Sequence, residues 1–436
     1  MKVKILISMI LVLCVFIWLS GCDQKQKNNN VGENIEDISL NPVYPENIAF
    51  DDYQNKNNRF DENPIEQDFM DSLENFSFDT AAKIFTSLEN NSKNTSYSPV
   101  SLYMALALAA TGAESQTKDE MFSLLQINGK DTDYLSAQTG NLFRRLYFSN
   151  EIGSLKIANS LWLKQDMTFK KDFTDNAVAN FYSSIYNVDF SNSGTAKLMG
   201  KWVSDNTNKL ISPDIQIDSN TILAILNTAY FKDQWTDAID EKVTKKDKFY
   251  LDDNSDNSVE CDFMTAYGEL YTTGDGFISS CLGLKNGGNM IFVLPDKGIK
   301  IDDLLNSPDR LNVALDLNNA KSARVTFTIP KFSYGNKLDL TDTLKSFGMT
   351  KAFSGGADFS AMTDNAAFIS AVNQETHVAI DEKGVEAAAF TSIIMAGCAL
   401  PAEQMDITLD RPFIYFITDR DDVILFMGAV YNPSEN

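Results

Sequence analysis

Apolar residues recur along the chain with two periods. Early on, Phe76, Ala81, Ile84, Phe85 and Leu88 fall at near-helical spacing. Ser98 and Pro99 then open an apolar helix over residues 100–110. Ser98 is a candidate N-cap, and Pro99 sits at the first helical position, where a missing N–H costs little. Residues 117–125 and 142–148 predict two further helices. Strand signals dominate later. Residues 155–163 partly alternate, and residues 222–231 form a nearly continuous apolar run, as in a strand buried on both faces. Residues 281–285 and 290–294 flank Asn286-Gly287-Gly288-Asn289, a hairpin signal. Residues 325–329 alternate up to Pro330, which ends pairing or marks an edge, and residues 423–430 make a closing strand. Helices early and strands late give an α+β class with large, mostly antiparallel sheets.

The two ends of the apolar scale mark the N-terminal region. Lys2 and Lys4 precede an apolar run over residues 5–19 that falls short of the ~20 residues a membrane span needs. A basic start, a short apolar core and small residues after it describe an export signal. Leu19-Ser20-Gly21-Cys22 resembles a bacterial lipobox, in which cleavage before the cysteine leaves a lipidated N-terminus. Residues 1–21 are then a signal peptide and Cys22 the lipid anchor. From residue 23 to about 70, Asn28, Asn29, Asn30, Asn55, Asn57 and Asn58 lie among charged residues with few apolar ones. Such a stretch cannot offset its ordering entropy. Residues 22–70 are therefore expected to be a flexible tether, and residues 71–436 one globular domain.

Composition removes several function classes. The 436 residues include 37 basic and 60 acidic side chains, a net charge of −23. That argues against a broad phosphate-binding face and so against nucleic acid as a partner. The single histidine, His377, excludes a histidine-rich metal site and leaves little room for a histidine-based hydrolase. His377 lies in an extended segment and reads as a strand residue without catalytic duty. Asp252, Asn254 and Asp256 have calcium-loop spacing, but Asn257 replaces the turn glycine and Phe263 the bidentate glutamate. No phosphate-binding or dinucleotide glycine motif occurs. Cys14, Cys22, Cys261, Cys281 and Cys398 show no C-x-x-C spacing, and the fold does not read as disulfide-stapled. No enzyme activity and no cofactor are implied.

Residues 382–400, EKGVEAAAFTSIIMAGCAL, fit no quiet loop. On a strand, one face would carry Val385, Ala387, Ala389, Thr391, Ile393 and Met395, all small or apolar except for one hydroxyl. The alanine run would equally suit a helix. Composition alone leaves both open.

Here a resemblance becomes specific. Glu382, Gly384, Val385, Glu386, Ala387, Ala388, Ala389 and Thr391 resemble the hinge of a serpin reactive-centre loop. Tyr97-Ser98-Pro99-Val100-Ser101-Leu102, Leu226-Asn227-Thr228-Ala229-Tyr230-Phe231-Lys232, Phe292-Val293-Leu294-Pro295-Asp296, Ile329-Pro330-Lys331-Phe332 and Asp410-Arg411-Pro412-Phe413 are similar to serpin landmarks in the same order. The resemblance covers about residues 71–434. It implies three β-sheets, about eight to nine helices and an exposed reactive-centre loop. It also implies irreversible suicide inhibition of a serine protease, in which the cleaved loop inserts into the main sheet and traps the acyl-enzyme.

Seventeen loop positions counted from Glu382 place the scissile bond at Cys398-Ala399; loop lengths vary by one or two residues, so Gly397, Ala399 and Leu400 remain candidates, Leu400 favouring a chymotrypsin-like protease. A small residue at position 398 suits elastase-like or subtilisin-like proteases, and residues 384–400 hold no Lys or Arg for a trypsin-like one. Ser98, Ser101, Asn227 and Gln374 align with the shutter, where central strands must part, and Trp235 with the breach, where the loop first inserts. The resemblance thus implies a monomeric inhibitor, with its partners a serine protease and, through Cys22, the outer face of a bacterial cell envelope. A non-inhibitory serpin acting as a binding or structural module is the alternative. Bulky or charged residues at 385, 387 or 389 would favour it, and none is present.

Overall fold

Helix Pro99–Thr111 organises the molecule, with all its side chains buried. It is rich in alanine and leucine, so it forms readily and packs closely on every side. It touches strands of two sheets at once. Ser98 precedes it but does not cap it. Its hydroxyl instead donates to the carbonyl of Leu425 in the second sheet, 2.7 Å away. The chain is described here from a computed structural model over residues 38–87, 92–252, 257–386 and 403–435. Residues 36–436 form one compact unit. The signal segment, Cys14, Cys22 and residues 387–402 lie outside the described residues.

Among the described residues the first sheet has eight strands and the second nine. The order of the first is Ile38–Leu40, Ser183–Val188, Ser154–Lys164, Leu223–Gln234, Gly384–Val385, Ile369–Asp381 and Phe332–Asp339, with Phe148–Ser149 added beside Ser154–Lys164. Helix Ser193–Asn206 crosses this sheet, and Met199, Trp202 and Val203 pack on Ala158, Trp162, Val188 and Leu226 as a separate small core.

The second sheet runs from Gln404–Thr408 through Lys321–Pro330, Ser258–Gly274, Phe277–Gly283, Asn289–Pro295, Phe413–Thr418 and Ile424–Val430 to Thr95–Tyr97. Lys245–Tyr250 pairs with the start of Ser258–Gly274. The expected third sheet is not separate. The 17-residue strand Ser258–Gly274 pairs with Lys245–Tyr250, Lys321–Pro330 and Phe277–Gly283 in turn, so hydrogen bonding runs on without a break. The hairpin at residues 283–289 forms as its glycines predict. Gly287 and Gly288 have φ of +101° and +82°, and a Cβ on Gly288 would lie 2.0 Å from the carbonyl of Thr418.

The described residues contain ten α-helices, in keeping with the expected count of about eight to nine. Two further expectations are corrected. Residues 142–148 are only the end of helix Thr132–Leu146, and Phe148 already belongs to a strand. The largest correction concerns the tether. Strand Ile38–Leu40 pairs with the edge strand Ser183–Val188, and helix Tyr53–Glu62 follows it. Structured residues of the body therefore extend N-terminal of residue 71, to at least residue 38. Low apolar content misled because the segment has no core of its own and borrows one. Tyr44 stacks on Phe143, Tyr147 and Tyr182, and Arg59 donates to the carbonyls of Tyr147 and Glu46.

Candidate functional site

Two central strands of the first sheet set the geometry. Leu223–Gln234 and Ile369–Asp381 pair directly and in parallel, from Leu223 opposite Ile369 to Thr228 opposite Glu375. Towards their other ends a short strand, Gly384–Val385, lies between them, antiparallel to both. Gly384 faces Asp381 and Gln234, and Val385 faces Ile380 and Asp233. The sheet is thus joined at one end and held open at the other by the first two loop residues.

Gly384 is required by this wedge. Its φ is +154°, and a Cβ would lie 2.1 Å from the carbonyl of Asp233. Val385 turns into the core and is 2% exposed. Its branched apolar side chain suits a buried strand position. Glu386 leaves the sheet with φ of +52° while its N–H donates to the carbonyl of Ala379 at 2.9 Å.

A ring of contacts holds this opening. The Trp235 indole N–H donates to the carbonyl of Asp381 at 2.7 Å, and the Trp235 backbone N–H to that of Lys383 at 3.2 Å. Glu382 accepts from the Thr244 hydroxyl at 2.7 Å and pairs with Lys331 at 2.9 Å. Burial works to raise the Glu382 pKa, but the bonds from Thr244 and Lys331 outweigh it and the carboxyl lies below its usual range.

Glu386 and Asp233 go the other way. Burial pushes Glu386 up to about 7, against the pull of Lys232 and a hydrogen bond from Tyr230. Burial pushes Asp233 up to about 6, although Asn286 donates to it through backbone and side chain at 3.0 and 2.9 Å. Sequence reasoning passed over Asp233 and met Asn286, Tyr230 and Lys331 only as turn or landmark residues. It assigned none of the four to the hinge, because only the sheet's register brings them there.

The expected shutter residues meet where the joined part of the two strands crosses helix Pro99–Thr111. Gln374 bridges the start of that helix, accepting from the Ser98 N–H at 2.8 Å and donating to the Ser98 carbonyl at 2.9 Å. The Ser101 hydroxyl donates to Asn227, which donates in turn to Asn159 at 2.8 Å. All five side chains are buried. Asn159 completes the line, because it lies opposite Asn227 in the antiparallel register. Nδ2 of Asn159 and the hydroxyl of Thr228 have no partner among the described residues.

Other candidates behave as ordinary structure. His377 is half-buried, its pKa is lowered by burial, and its one ring hydrogen bond among the described residues is with the Ser333 hydroxyl at 3.4 Å. Cys261 and Cys281 are free, and burial pushes their thiols up to about 12 and about 11. No group of metal-binding side chains occurs among the described residues. Ala387, Ala388, Ala389, Thr391, Cys398 and Ala399 lie outside the described residues, as does Cys22.

Comparison with known proteins gives one answer. The family described as Serpin (serine protease inhibitor) matches residues 71–433. Serpin-Z1C of Triticum aestivum is 32% identical over 381 residues, covering 82% of this chain and 94% of that one. The solved structure of the thermophilic serpin tengpin in its native state superposes with a TM-score of 0.73 at 26% identity, covering 91% of this chain and 97% of that one. Thyroxine-binding globulin in complex with thyroxine gives 0.72 at 28% identity, covering 84% and 99%. With its central strands, its wedge and its sequence all agreeing, this chain belongs to the serpin family.

Proposed function

We propose that this serpin is a suicide inhibitor of serine proteases, with its loop cleaved at or next to Cys398-Ala399. The protease serine attacks the Cys398 carbonyl, an ester forms, and the new amine at Ala399 departs. The freed loop then inserts between strands Leu223–Gln234 and Ile369–Asp381 before water can hydrolyse the ester.

The observation that carries this reading is the seated pair Gly384–Val385. If insertion continued this register, Ala387 would come between Phe231 and Val378, Ala389 between Ala229 and Thr376, and Thr391 between Asn227 and Gln374. Every residue so brought to the buried face is small or apolar, except Thr391. Its hydroxyl would arrive among the shutter amides, where a polar group can be satisfied. Insertion lengthens a strand by the same main-chain pairing that serpin loop insertion exemplifies among strand-addition modes. Elastase-like and subtilisin-like proteases are the targets, because the proposed position before the scissile bond is small and the loop is free of Lys and Arg.

The same reading places the protein on the outer face of the cell envelope, anchored through a lipid on Cys22. It acts there as a monomer, without a cofactor.

The test is a denaturing gel of residues 36–436 mixed with pancreatic elastase, subtilisin, chymotrypsin and trypsin. A band near the summed mass that survives boiling with elastase or subtilisin supports inhibition, and mass spectrometry of the released peptide fixes the bond. Loop cleavage without such a band for any protease would sink it and favour the binding-module alternative. For the anchor, Cys22→Ser should move the protein from the membrane fraction to the soluble one. Unchanged membrane association would refute lipidation.

A further inference from the structure

The N-terminal segment that covers the body also encloses a cleft that the loop mechanism does not use. Helix Tyr53–Glu62 forms one wall, and the turns at residues 286–287 and 419–420 form part of the rest. The apolar lining comes from Ile48, Phe148, Leu155 and Leu425. The cavity volume is about 70 Å³, and the cleft is open at its mouth.

Lys56, Arg59, Arg145 and Arg420 all line this cleft. Arg145 is matched by Asp421 at 3.1 Å. The other three have no carboxylate at ion-pair distance among the described residues. Lys56 donates to the Phe50 carbonyl at 2.7 Å, Arg59 to the Tyr147 carbonyl at 3.0 Å, and Arg420 lies 4.1 Å from the centre of the Phe60 ring. These are neutral partners.

In a chain with 60 acidic residues, an unmatched cationic cluster is not a shortage of carboxylates. It also has a cost. Burial lowers the proton affinity of both Lys56 and Arg59; the charges of Asp233, Glu151 and Asp51 at Lys56, and of Glu46 at Arg59, offset this only in part from beyond ion-pair distance, while Arg420 adds to the cost at Lys56. Asp419 lines the cleft too, but its carboxyl accepts the backbone N–H groups of Asp421 and Val423 at 2.9 Å and is committed to its own turn. A carboxylate from outside would supply the missing counter-charge in partly dry surroundings, where charge-assisted hydrogen bonds are strong. The lining beyond it would take an apolar body.

We propose that this cleft binds a small amphiphilic carboxylate, its anionic head at Lys56, Arg59 and Arg420 and its hydrocarbon body against Phe148, Leu155 and Leu425. Neither charge nor apolar surface alone defines such a ligand, so the probes separate the two. Octanoate, 1-octanol and inorganic phosphate are each titrated calorimetrically into residues 36–436, which form one compact unit. Octanoate should bind one to one, and octanol and phosphate about tenfold more weakly or worse, because each leaves half the site unmatched.

Arg420→Gln and Lys56→Gln should each weaken octanoate by several-fold while the melting temperature of the unliganded protein stays close to the parent's. Arg420 is the safer variant for folding, since it is exposed and stacks on one ring. Absence of heat with octanoate overturns the proposal. So does equal binding of octanol, equal binding of phosphate, or parental affinity in both variants.

Discussion

At the scale of single residues the hinge is decided by Val385 and Glu386. Val385 is closed in between Ile380 and Asp233, so an arginine there would have to bury an unpaired charge or stay out of the sheet. On the proposed function, Val385→Arg should therefore give a cleaved substrate instead of an inhibitor. Loop cleavage should continue, while the yield of covalent complex falls by about tenfold or more, which a gel at equal protease reads directly. Undiminished trapping would refute the hinge assignment.

Glu386 adds a dependence on pH. Its carboxyl is raised to about 7 where it sits near Lys232 and Tyr230, whereas a Glu in water titrates near its ordinary 4.5. The seated hinge therefore binds the proton more tightly than a released one. Its extra stability is complete below about 4.5 and is lost as pH rises through about 7. Asp233, raised to about 6 on the other face, acts in the same direction. Amide exchange at Glu386, corrected for intrinsic rate, should be slower at pH 5 than at pH 8. Glu386→Gln should flatten most of that difference, and an unaltered profile would assign it elsewhere.

At the scale of elements, the shutter residues form a line of amides laid across the strands that the proposed insertion would part. Gln374 satisfies both backbone groups of Ser98, so Gln374→Ala leaves a buried N–H and a buried carbonyl without it. Such groups cost about 1–3 kcal/mol each, and urea unfolding should show a loss of about 2 kcal/mol or more. A change within error would mean that water replaces the amide without penalty.

What the sequence revealed follows the same division. The apolar runs announced the helix Pro99–Thr111 and the strand Leu223–Gln234, since burial dictates their composition directly. The glycines announced the hairpin at residues 283–289, since backbone conformation dictates them. The shutter and breach residues were legible only through resemblance, as polar side chains in apolar strands carry no label of their own. Asn159 and Asp233 were missed because their partners are fixed by register, over separations that no local pattern records. The hinge lay between the two cases. Its small residues were conspicuous, but composition left strand and helix open, and only the seated pair Gly384–Val385 decides for a strand at those two positions.

At the scale of the whole molecule, the N-terminal segment changes the account of how the body is held together. Polar composition made residues 38–62 look like a leash, yet they add a strand to one edge of the first sheet and cover an aromatic stack. Burial and neighbouring phenols push Tyr44 up to about 12, as expected for a ring withdrawn from water. Deleting residues 36–62 would expose the rings of Phe143, Tyr147 and Tyr182 and leave the edge strand Ser183–Val188 unpaired on that side. It would also remove the Arg59 bonds that tie the segment to the body, but spare Asn63, which accepts from both Arg144 and Arg145. Burying one aromatic side chain is worth about 1.5–3 kcal/mol. The deletion should therefore lower the melting temperature by several degrees, read by circular dichroism at fixed scan rate. It also takes Ile48, Lys56, Arg59 and Phe60 out of the cleft, so octanoate should no longer raise the melting temperature. A truncated protein that melts with the parent would make the segment a passenger. One that melts lower but still responds to octanoate would place the ligand elsewhere.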